Sequence, residues 1–76
     1  MIDIKKIADE ADMIINFYAF TVSGDMVRVL NLENTSEAAV LNMNGEMLET
    51  TMTDDELAQV LKYFSKNKKY LEENHA

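Results

Sequence analysis

Cysteine, proline and tryptophan are absent from this 76-residue chain, glycine occurs twice, and the one histidine is His75. Without cysteine there is no disulfide, no thiolate metal site and no thiol nucleophile, and a secreted domain this small would ordinarily need cross-links. An intracellular, cytoplasmic setting is expected. Bases are also scarce, 7 Lys and Arg against 14 Asp and Glu, for a net charge of -7. That field argues against nucleic acid as a direct ligand and favours a basic surface on another protein. Long apolar runs are missing too. The opening residues, MIDIKKIADEADMIIN, mix charged and apolar side chains, so they form neither a signal-peptide core nor the ~20 apolar residues of a membrane span.

What is present is enough apolar material to fold. At 47% hydrophobic, with three Phe and three Tyr, the chain is too apolar for a disordered acidic tail. Residues 1–76 read as a single domain, of a size that buries roughly 60% of its unfolded surface.

Ile4, Ile7, Ala8, Ala11, Ile14 and Ile15 recur at helical spacing behind Asp3 as a cap, which predicts a helix over residues 3–15. Residues 17–22 and 26–32 read as strands around the Ser23-Gly24-Asp25 turn, the second apolar on both faces and so suited to the middle of a sheet. Residues 38–43 and 46–52 read as two more around Asn44-Gly45, a dipeptide suited to a type I′ turn. Thr53-Asp54-Asp55-Glu56 has the form of a capping box. It opens a second helix, reaching about residue 71 or 72, that buries Leu57, Val60, Leu61, Phe64 and Leu71. The expected class is α+β: an N-terminal helix, a four-stranded antiparallel meander and a C-terminal helix, with both helices on one sheet face.

Chemistry is sparse. His75 is next to the last residue, where a base is poorly held, so no acyl-transfer site is expected. Gly24 and Gly45 belong to separate turns and form neither a phosphate loop nor a dinucleotide fingerprint. The acids lack the Gly-containing alternation of a calcium loop. Neither a metal nor a cofactor is expected, and the protein reads as a non-enzyme. Lys62, Lys66, Lys68 and Lys69 fall in the later turns of the second helix, where they would complement its dipole.

Charge distribution discriminates further. Residues 1–61 hold 12 acids and 3 bases, net -9, whereas residues 62–76 hold 2 acids and 4 bases, net +2. Asp25, Glu33, Glu37, Glu46 and Glu49 fall at strand ends, turns and solvent positions, and Asp9, Glu10 and Asp12 on the first helix. Neighbouring carboxylates on helices and across strands stand about 5 to 7 Å apart, near the spacing of phosphates along a nucleic-acid strand. Tyr18 and Met47 are the candidate apolar contacts beside these acids, because rim charges steer whereas buried anchors hold.

The segments YAFTV, VRVLNL, AAVLNMNGEMLETTM and KNKKYLEENHA together resemble short, uncharacterised acidic proteins of bacterial mobile genetic elements. That resemblance implies a setting in which small proteins block host defence, as anti-CRISPR proteins that mimic nucleic acid do. The expected function is a binding inhibitor that occludes the basic groove of a larger nucleic-acid-binding or nuclease protein. One alternative is a homodimeric structural or regulatory module. Another is a small enzyme with a carboxylate pair, which requires an acid buried enough to have a raised pKa. Nothing in the local sequence forces such burial.

Overall fold

The computed structural model describes residues 4–74. Helix α1 is Ile4–Glu10, and the strands are β1 (Met13–Ile15), β2 (Tyr18–Ser23), β3 (Met26–Asn31), β4 (Ala38–Asn42) and β5 (Met47–Thr50). Helix α2, Asp54–Asn74, follows β5. The strands form one antiparallel sheet in sequence order, with β3 at its centre. Asp3 and His75 lie outside the described residues.

The sheet has five strands where four are expected, because residues 13–15 pair with β2 instead of extending the helix. Ile14 and Ile15 fit a helical stripe by spacing, but a Met-Ile-Ile run suits a pleated edge equally well. The junction decides between them. Asp12 N–H donates to the Phe20 carbonyl at 2.9 Å, and Asp12 Oδ2 accepts from Val22 N–H at 2.7 Å, so the chain is held against β2 just after the helix ends. Asn16, in the left-handed region at φ 55°, then turns the chain from β1 into β2.

Alternation sorts the sheet into two faces. Tyr18, Phe20 and Val22 of β2, Val27 and Val29 of β3, and Ala39 and Leu41 of β4 form the core with Met52 and with Val60, Phe64 and Leu71 of α2. Cross-strand register places Ala19, Thr21, Arg28, Leu30, Ala38 and Val40 on the other face. Ile7 and Glu10 of α1 line a groove with those residues. The two helices therefore cover opposite faces, contrary to the single-face expectation, because β2 to β4 are apolar on both sides and each side needs cover.

Two further expectations are corrected by local hydrogen bonding. Asn44 is not among the residues with positive φ, whereas Gly45 has φ 85°, so the hairpin is not the type I′ turn that needs both. Instead Asn42 accepts from Gly45 N–H through its carbonyl and from Asn44 and Glu46 N–H through Oδ1, each at 3.0 Å, which closes a three-residue loop. At the start of α2, Glu56 N–H donates to Thr53 Oγ1 at 3.3 Å, but Glu56 Oε1 has no partner, so only half of the capping box forms. The α2 lysines also precede the last turn, which carries Glu72 and Glu73 and no base. Lys68 pairs with Glu72 at 3.8 Å. These lysines are thus too far from the helix end for the dipole to explain them.

Candidate interaction surface

Helix α1 has 7 residues and crosses only part of the second sheet face. Beside it lies a groove of about 360 Å³, floored by Ala19, Thr21, Leu30, Ala38 and Val40 and bounded by Ile7, Glu10 and Arg28. A shallower depression of about 160 Å³ continues from Ala38 and Val40 to Glu49 and Thr50 of β5 and Thr51 just after it. The floor is open because its side chains are small. The groove thus has apolar walls, a carboxylate on each flank at Glu10 and Glu49, and one guanidinium between them. Such a surface can seat an apolar side chain and orient a polar neighbour, but it assembles no nucleophile beside a base.

Apart from Glu10 and Glu49, the candidate acids do not share this surface. Antiparallel connections alternate between the two ends of the sheet, so Asp25 and Glu46 project at one end and Glu33 and Glu37 at the other. Met43 N–H donating to the Asp25 carbonyl at 3.0 Å ties the first pair's turns together. Asp25, Glu33, Glu46 and Glu49 are exposed, as are Asp9 and Glu10 on α1. Asp12 is partly buried and serves the α1–β1 junction. Of the two apolar candidates, Met47 is 43% exposed on edge strand β5, next to Leu48 at 51%. Tyr18 is 3% exposed and belongs to the core, so it is not a docking contact.

A second constellation forms where the β3–β4 connection meets α2. Glu37 faces Glu56, and the Glu37 carboxyl is held above the ordinary carboxylate range, first by burial and then by the Glu56 charge. Beside them the Tyr18 phenol is held above its ordinary value by burial and then by Glu56, Tyr63 and Glu37. The Tyr63 ring lies 6.1 Å from that of Tyr18, and its hydroxyl accepts from Asn16 Nδ2 at 2.8 Å. Glu56 escapes a reading of the sequence because its spacing from Thr53 already has a local explanation. The groove floor leaves a fainter signal, the unbroken apolar run of residues 38–41.

Among the described residues no cluster of three or more His, Asp or Glu is placed to hold a metal, and no helix is long and apolar enough to cross a membrane. No curated protein and no solved structure matches the chain. The family described as of unknown function, DUF7723, matches residues 1–71, and the chain belongs to it.

Proposed function

We propose that the protein is a non-enzymatic binding module that seats its second sheet face on a larger protein and occludes a basic, nucleic-acid-binding surface there. The groove beside α1 is the observation that carries this reading: it offers apolar area in a concave form, and Glu10 and Glu49 flank it. The exposed acids at both ends of the sheet add long-range steering toward a cationic partner, while the groove supplies the short-range hold. The acids therefore act as a field around an apolar seat, not as one continuous phosphate-like track. The resemblance to mobile-element proteins favours a defence nuclease as the target and the bacterial cytoplasm as the setting.

Affinity capture from a bacterial lysate, with the parent, Val40→Lys and the pair Glu46→Lys and Glu49→Lys side by side, tests this. The expected result is a nucleic-acid-handling protein retained by the parent, lost by Val40→Lys at any salt, and released from the parent as salt rises. Equal retention by Val40→Lys, with melting curves showing it folded, overturns the groove as the seat.

Strand β5 favours a second reading. It is a sheet edge with Met47 and Leu48 exposed, and such an edge can pair with a second copy. Light scattering separates the two, since a stable dimer dispersed by Leu48→Lys needs no external target.

A further inference from the structure

Glu37 immediately precedes β4, and Glu56 sits in the first turn of α2. Glu37 Oε2 and Glu56 Oε1 are both shielded from solvent, and neither has a hydrogen-bond partner. Two ionised carboxylates offer only acceptors, so in that state nothing joins them and two shielded charges face each other. A single proton reverses this. A carboxyl group donates a short, charge-assisted bond to a facing carboxylate, and two acids so placed share one proton before both ionise.

The surroundings act in the same direction. Burial and Glu56 both hold the proton on Glu37, and among the described residues no cation acts against them. The other titratable groups at the pair are Tyr18 of β2, whose phenol burial holds above its ordinary value, and Tyr63 of α2. Asp54 and Asp55, exposed in the same helical turn, add only further negative charge.

We propose that Glu37 and Glu56 share one proton, and that this proton latches the β3–β4 connection to the N-terminal turn of α2. With the proton in place, the Glu37 hydroxyl donates to the Glu56 carboxylate and the end of the connection is pinned. When the proton passes to solvent, the carboxylates repel and residues 36–38 loosen from the helix. Asn31 continues to hold the beginning of the connection, because its Oδ1 accepts from Glu33 and Asn34 N–H at 2.9 and 3.0 Å.

Site-resolved ¹³C titration of the side-chain carboxyls tests the shared proton. Glu37 and Glu56 are expected to titrate as a coupled pair, with one step above the ordinary carboxylate range. Two independent, ordinary curves overturn the proposal. Amide exchange tests the latch. Protection at positions 37 and 38, referred to the Val60 amide in α2, falls as pH rises from the ordinary carboxylate range to the upper step, by about ten-fold per pH unit. In Glu37→Gln the side-chain N–H donates to Glu56 at every pH, so that fall disappears. An equal fall in Glu37→Gln shows that the shared proton is not the latch.

Discussion

Glu37 shows how one side chain changes meaning between sequence and structure. In the sequence it is one surface acid among fourteen, yet in the fold its carboxyl is partly buried against Glu56 and its pKa is raised. A carboxyl whose folded pKa lies above its unfolded value contributes stability that is fully present below the unfolded pKa and is lost as pH rises through the folded one. Urea unfolding should therefore show the parent gaining stability on acidification from neutral pH, with a shallower gain in Glu37→Gln. Asn31 carries a different demand. It is buried, and its carbonyl and side-chain oxygens both accept from the β3–β4 connection. Asn31→Ala leaves the Glu33 N–H without its acceptor, while Asn34 N–H keeps the Asn31 carbonyl at 3.2 Å, and should lower stability by about 1–3 kcal/mol in the same assay.

Among the elements, α2 and β3 agree with their sequence patterns while α1 and β1 do not. The apolar stripe of α2 runs far enough to overrule local ambiguity, and Val60, Phe64 and Leu71 are all buried where the helical period puts them. Phe64→Ala removes a fully packed ring and should cost about 3–5 kcal/mol by thermal or urea unfolding. The first helix is too short for its period to be decisive, and β1 exists because β2 offers an open edge and Asp12 anchors the crossing. Asp12→Ala should selectively raise amide exchange in residues 13–15, whereas Asp12→Asn, which keeps an acceptor for Val22 N–H, should leave it near the parent. The β4–β5 hairpin depends on Gly45, where φ is 85° and an added Cβ would lie 3.5 Å from the Phe64 ring. Gly45→Ala should cost about 1–2 kcal/mol, chiefly from the left-handed backbone, since that approach is ordinary van der Waals contact.

At the scale of the whole molecule, a charge of -7 on an accessible surface of 4957 Å² opposes compaction by self-repulsion. Added salt should raise the melting temperature at neutral pH, and the gain should shrink on acidification as carboxylates are neutralised. Residues alone determined that the chain folds as an α+β domain, that β3 lies centrally and that α2 packs on the sheet, because apolar period and turn chemistry are local properties of the chain. Only the tertiary structure decided that the helices take opposite faces, that a groove remains beside α1, and that Glu37 meets Glu56. Those depend on which distant segments are brought together, and a carboxylate's role follows from its neighbours in space, which spacing along the chain does not encode.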